Sequence, residues 1–199
     1  MKRVIFFTLM VFCLAIMNTA QAEETEVMNF VKRLAKEKIT ALASDPIVVN
    51  AVKTANKEAV KSLDEIKQLD EKWQATDGID ARIESFLTNP CAQYLKKMQK
   101  AAVKISRSLY AEIFVMDKQG CIVAETNKTS DYWQGDEDKF VKSFADGNGA
   151  IFIDAPAFDQ SSGMYSIQVS VPVVDPSTKK AIGAVTVSVD IDAIAERFY

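Results

Sequence analysis

The sequence predicts an α+β fold, with long N-terminal helices packed on a five-stranded antiparallel sheet. Two observations carry this. The hydrophobic period is three to four residues from Glu23 to about Tyr110 and becomes two from Ala111 onward, which is the change from amphipathic helix to half-buried strand. The strands are also punctuated by short turns, Asp117-Lys118-Gln119-Gly120 and Asp175-Pro176-Ser177-Thr178, so neighbouring strands run antiparallel with helices laid on the sheet.

Ahead of the helices, Lys2 and Arg3 precede a run from Val4 to Met17 that is apolar but for Thr8, and Ala20-Gln21-Ala22 follows. This is the three-part layout of a secretory signal peptide over residues 1–22, cleaved after Ala22; an uncleaved N-terminal membrane anchor shares the same features. Cys13 is preceded by Met10-Val11-Phe12, not by small residues, which argues against a lipidated terminus. No second apolar stretch reaches the roughly 20 residues that span a bilayer. The product is expected in the periplasm or secreted.

Residues 23–110 form the helical region. Asp45-Pro46 supplies an N-cap and a proline at the first helical position, and Asp77-Gly78 and Asn89-Pro90 mark further breaks. Val52, Ala55, Ala59, Leu63, Ile66, Leu69 and Trp73 make one apolar stripe; Cys91, Tyr94 or Leu95, Met98, Ala102 and Ile105 make another. Packing on the domain accounts for these stripes, and the first long helix also offers a face for a homodimer. Residues 111–199 supply the sheet and form one domain with the preceding helices. Its elements are strands over 113–116 and 121–126, a short helix over 131–145, strands over 150–154, 165–174 and 182–191, and a terminal helix from Asp192. Pro172 removes a ladder donor, so the fourth strand is an edge or bulged there.

Composition excludes several functions. The 199-residue chain has a net charge of −3 and no histidine. Without histidine there is no Ser-His-Asp or Cys-His nucleophile, and a zinc site is disfavoured. The acidic balance and lack of a basic run make nucleic acid a poor partner. No cofactor and no metal are implied. An oxidising compartment permits a disulfide between Cys91 and Cys121, with two free thiols as the alternative.

Three features bear on function. In the fourth and fifth strands, Ser166, Gln168 and Ser170, and Thr186, Ser188 and Asp190, alternate with apolar residues. A solvated sheet face usually carries Lys, Glu or Arg. Small hydroxyls and an amide suit a sheltered cavity that hydrogen-bonds something small, although Ser and Thr also fit an ordinary half-exposed pleat. The second feature is the acidic–aromatic cluster Ser130-Asp-Tyr-Trp-Gln-Gly-Asp-Glu-Asp-Lys-Phe140. Its acids are explained by a helix N-terminus, do not follow the EF-hand spacing, and lack the contrasting environments of a catalytic pair. Tyr132-Trp133 are then core anchors or walls of a ligand site.

Third, the second half of the chain resembles a known family. The run EIFVMDKQGCIVAETNKTSDYWQGDEDKFVKSF, then FDQSSGMYSIQVSVPVVDPSTKKAIGAVTVSVDID, is similar to a Cache domain, the PAS-like extracellular sensor module of bacterial chemoreceptors and histidine kinases. Leu42 to Asn56 resembles that family's long N-terminal helix. The resemblance implies a PAS-like sheet and a small-metabolite ligand: an amine, amino acid or carboxylate. It places Asp131, Tyr132 and Trp133 over the ligand, Asp159 at its ammonium group, and Tyr165, Gln168 and Ser170 on the flooring strand. Amino-acid binders of the family carry an arginine just before the tryptophan. Here the segment reads Thr129-Ser130-Asp131-Tyr132, which favours an amine or a neutral ligand. Family sensors signal through a second membrane span and a cytoplasmic module. This chain ends at Tyr199 with neither, so the expectation is a non-catalytic binding module, used in chemotaxis or other signal transduction through a membrane receptor or kinase. The alternative is an adaptor with a vestigial pocket that docks on a membrane sensor through its N-terminal helix.

Overall fold

The computed structural model describes residues 25–58, 60–103, 106–159 and 163–198. The expected signal peptide lies outside them. Among the described residues no helix is long and apolar enough to cross a membrane.

Among the described residues seven helices and six strands follow one another, with a short 3-10 turn at Ala145–Gly147. Helix α1 covers residues 25–43, with a π-helical turn at Ala35–Ile39 where Thr40 Oγ1 donates to the Ala35 carbonyl at 2.9 Å. Helix α2 is Pro46–Ala55, α3 Leu63–Ala75, α4 Ala81–Thr88 and α5 Pro90–Ala101. The cap residues set these starts. Asp45 accepts from Ile47 N, Asp80 from Ile83 N and Asn89 from Ala92 N, satisfying free donors of each first turn. The apolar stripe that reads as continuous from Val52 to Trp73 is two helices. Ser62 and Glu65 form a reciprocal capping box that starts α3 afresh.

Strands β1 (Tyr110–Met116) and β2 (Ile122–Glu125) form a hairpin, α6 is Asp138–Phe144, and β3 (Phe152–Ile153), β4 (Ala157–Asp159), β5 (Met164–Val174), β6 (Ala181–Asp190) and α7 (Ile191–Phe198) complete the chain. The antiparallel sheet has the order β2-β1-β6-β5-β3, with β4 also paired to β5. The architecture is therefore α+β as expected, with a sixth short strand, β4, added beside β5. Its register sets Ala157, Phe158 and Asp159 against Ser166, Tyr165 and Met164. The expected helix over 131–145 is shorter, because residues 132–134 are tied to the β1–β2 turn, where Ile122 N donates to the Tyr132 carbonyl and Gln134 N to the Gly120 carbonyl, and Glu137 N then donates to the Gln134 carbonyl in a turn that precedes α6. Pro172 sits on β5 beyond the last pair with β3, Phe152 with Ser170, so its missing N–H disrupts no ladder there.

The two sheet faces carry different cores. Ile113, Val115, Ile167, Val169, Val171, Val173, Val185, Val187 and Val189 meet apolar residues of α1, α2, α5 and α7. Phe114, Met116 and Ala184 point the other way, toward Ile66 and Trp73 of α3, Ile83 of α4, Tyr132 and Phe140. Cys91 belongs to the first core and Cys121 to the second, and both are free and buried. This corrects the pairing that the compartment permits, since the two thiols serve different packed layers.

Candidate ligand-binding site

Alternation along β5 and β6 gives the second face its character. Ser166, Gln168 and Ser170 lie opposite Asp190, Ser188 and Thr186, and Ser188 and Thr186 lie opposite Glu112 and Phe114 of β1. Glu125 of β2 lies opposite Phe114. A polar strip therefore crosses four strands. It is not a solvated surface: Ser166, Ser170, Thr186, Ser188, Asp190, Glu112 and Glu125 are all buried. Helix α6, through Phe140 and Ser143, packs on β5 and β6 over this face, and the segment 126–137 covers the rest.

Some of these groups satisfy one another. Ser170 Oγ and Thr186 Oγ1 are 2.8 Å apart. Asp190 accepts from Asp192 N and Ala193 N, capping α7, and pairs with Arg107 at 3.3 Å. Others have no such outlet. Glu125 Oε1, Gln134 Oε1 and Ser188 Oγ are buried without a hydrogen-bond partner among the described residues, although unpaired buried polar atoms cost free energy and are few in folded proteins. The other oxygen of Glu125 accepts from Thr129 N at 3.1 Å and lies 3.0 Å from Thr129 Oγ1, which is itself 2.8 Å from the Asp131 carbonyl. One hydroxyl proton serves both acceptors, so the charge on Glu125 and the bonding of the covering segment are linked. Burial pushes the Glu125 carboxyl up to about 7, against the bonds from Thr129 and the fields of Lys128 and Lys96.

The covering segment is clamped by one face of α3. Asp70 Oδ1 accepts from Tyr132 N at 2.7 Å and Trp133 N at 3.0 Å; Trp73 Nε1 donates to the Thr129 carbonyl at 2.8 Å, and Gln74 Nε2 to Asp131 Oδ1 at 2.7 Å. The spacing of three and four residues puts all three side chains on one side of the helix. From below, the β1–β2 turn meets the segment at two glycines. A Cβ on Gly120, whose φ is +81°, would lie 2.5 Å from Gly135 Cα, and one on Gly135 would fall on the Trp133 indole nitrogen and the Gln119 carbonyl.

The residues anticipated from sequence divide among several places. Ser170 and Gln168 lie on the polar face, the first buried and the second half-buried. Tyr165 is 61% exposed on the opposite face of β5, where its ring meets Phe158 edge-on at 5.4 Å. Asp159 is on β4 opposite Met164; its side chain is outside the described set. Tyr132 is buried in a triangle with Trp73 at 5.7 Å and Phe86 at 5.8 Å, under the Arg82 guanidinium at 4.8 Å. It borders a cavity of about 690 Å³ between α2 and α4. Trp133 turns to the other side. Its indole N–H is taken by the Gln119 carbonyl at 2.8 Å, and with Asp131 and α3 it lines an acidic cleft of about 380 Å³. Both oxygens of Asp131 are engaged, by Gln74 and Ser130. Sequence reading missed Glu125, Gln134 and Asp70. Each looks like an ordinary polar residue until the sheet register and the clamp bury or engage it.

Among the described residues no cluster of His, Cys, Asp and Glu is arranged to hold a metal ion. No protein-family model matches the chain, and no curated protein matches it. Solved structures similar to it include the sensor domain of the V. cholerae histidine kinase DctB, at 16% identity over 92% of this chain and 58% of that one with a TM-score of 0.44. The ligand-binding domain of the Campylobacter jejuni chemoreceptor Tlp3, in complex with 4-methylisoleucine, matches at 13% identity over 83% and 62% with a TM-score of 0.41. That of the Pseudomonas aeruginosa amino-acid chemoreceptor PctC, in complex with GABA, matches at 13% over 83% and 65% with a TM-score of 0.36. This chain thus spans less than two thirds of each. These neighbours are sensor or ligand-binding domains of a histidine kinase and of chemoreceptors. The chemistry of the site is read from its own residues.

Proposed function

We propose that the protein is an exported, non-catalytic sensor module that binds a small metabolite on the polar face of its sheet, beneath the segment 126–144, and acts with a membrane receptor or kinase. The observation that carries this is the buried strip itself. Its hydroxyls and carboxylates are sealed from solvent, and Glu125 Oε1 and Ser188 Oγ on it, with Gln134 Oε1 of the covering segment, have no partner within the described fold. A face kept only for stability would be cheaper if apolar. Gln168 and Ser170 form the floor and Trp133 flanks the cover; a leader cleaved after Ala22 would deliver the domain to the periplasm. The role of the neighbouring solved structures, sensing for kinases and chemoreceptors, agrees with this reading.

Thermal unfolding against a panel of amines, amino acids, organic acids and sugars tests it. A ligand at about 100 times its dissociation constant adds about 2.7 kcal/mol of apparent stability, an upward shift of roughly 5–10 °C for a domain of this size. The expected result is such a shift with one chemical class, reduced in Ser188→Ala by more than that change alters the unliganded midpoint. A panel without any shift would contradict the proposal and return weight to an adaptor whose pocket binds nothing.

A further inference from the structure

The unpartnered atoms differ in kind, and the difference selects a ligand class. Gln134 Nε2 is committed to the Asp131 carbonyl at 2.9 Å, which fixes the orientation of the amide and leaves Oε1, an acceptor, unpaired and buried. Glu125 Oε1 is the second unpaired acceptor when its carboxyl is ionised, and Ser188 Oγ can accept or donate. Glu125 is 0% exposed, Gln134 1% and Ser188 0%. Glu112, also buried, lies opposite Ser188 on the same face and two residues from the partner of Glu125, which makes the two residues diagonal neighbours with backbones about 7–8 Å apart.

The nearby cations are occupied. Lys139 pairs with Glu137 at 3.0 Å and rests 5.5 Å from the centre of the Phe114 ring; Lys96 donates to the Leu87 carbonyl and Lys128 to the Thr76 carbonyl. No arginine lines this face among the described residues except Arg107, held by Asp190 and Asp192. An anionic ligand would meet buried carboxylates, and the ammonium groups nearest to Glu125, those of Lys96 and Lys128, are each held by a backbone carbonyl. A group rich in N–H donors would satisfy the unpaired acceptors and neutralise a carboxylate whose desolvation is only partly offset by Thr129.

We infer that the buried polar face and its covering segment recognise a ligand through an ammonium or amidinium group, with Glu125 as its counter-ion and Gln134 and Ser188 as further hydrogen-bond partners. This rests on the polar face being the ligand site. It narrows the class to amines and guanidino compounds and excludes those whose recognised end is a carboxylate.

The test uses the full chain and calorimetric titration with straight-chain primary amines, diamines and guanidino compounds, each against the carboxylate and the α-amino acid of matched length. The expected result is binding of the nitrogen bases but not of the acids, weakened at least about tenfold by Glu125→Gln, whose unliganded midpoint is unchanged or higher. Gln134→Met, an apolar change of similar shape, serves as the second variant if Glu125→Gln does not fold, and is expected to weaken the same compounds. Binding of acids without binding of bases would overturn the inference and leave the sensor reading standing. Binding of bases that neither variant weakens would overturn the assignment of these residues. No binding of any compound would overturn both.

Discussion

Glu125 concentrates the chemistry of the site in one side chain. In the unfolded chain it titrates near 4.5, and in the fold burial holds it up to about 7. Between those values the folded state keeps a proton that the unfolded state has lost, so this group makes stability fall as pH rises through that window. The full effect is on the order of 3 kcal/mol. Asp117, whose carboxyl is also raised by burial, contributes in the same direction, so the comparison that isolates Glu125 is with Glu125→Gln. The melting midpoint of the wild type is expected to drop, relative to the variant, between about pH 5 and pH 7; parallel profiles would contradict the burial assigned to this carboxyl. Lys96 of α5, Lys128 of the covering segment and Glu112 of β1 set the field around it. A cationic ligand favours the ionised form, so amine affinity should rise as pH rises through about 7. The signal in the sequence was partial at this scale. Ser166 to Ser170 and Thr186 to Ser188 announce a polar strand face by alternation alone. Glu125 and Gln134 do not, because their burial comes from segments distant in sequence.

At the scale of elements, the clamp from α3 decides whether the covering segment stays in place. Asp70 accepts from two consecutive backbone N–H groups. Asp70→Ala leaves both without their acceptor and is expected to destabilise the protein by about 1–3 kcal/mol. Hydrogen exchange should accelerate at Tyr132 and Trp133 before it does in β5 and β6; uniform acceleration would mean that the segment has no independent opening. Gly135→Ala is expected to cost at least as much, because the added methyl meets the Trp133 indole and the Gln119 carbonyl with no open space beside them. Many element boundaries were legible, since Asp45-Pro46, Asp77-Gly78 and Asn89-Pro90 each act through local backbone chemistry. The break between α2 and α3 was not. The apolar stripe keeps its phase from Val52 to Trp73, and only the Ser62–Glu65 capping box separates the two helices. The non-helical course of residues 131–137 was also hidden, because its bonds run to the β1–β2 turn and to α3. The adjacent aromatics Tyr132 and Trp133 part to opposite sides of that segment for the same reason: an extended backbone alternates its side chains.

The whole molecule is a sheet with unequal faces. One is lined with valine and isoleucine against α1, α2, α5 and α7, and supplies an apolar core. The other joins an aromatic cluster at one end to a sealed polar strip at the other. Folding to bury that strip works against stability, and the arrangement is understood if the strip exists for a ligand. The most direct measurement is the unfolding free energy of Ser188→Ala beside the affinity of the compound that binds the wild type. The change removes a buried hydroxyl without a partner, so the account predicts stability unchanged or raised by about 1 kcal/mol together with a clear loss of affinity. Lower stability with affinity unchanged would contradict it, and would make the strip part of the folding core instead of a binding site.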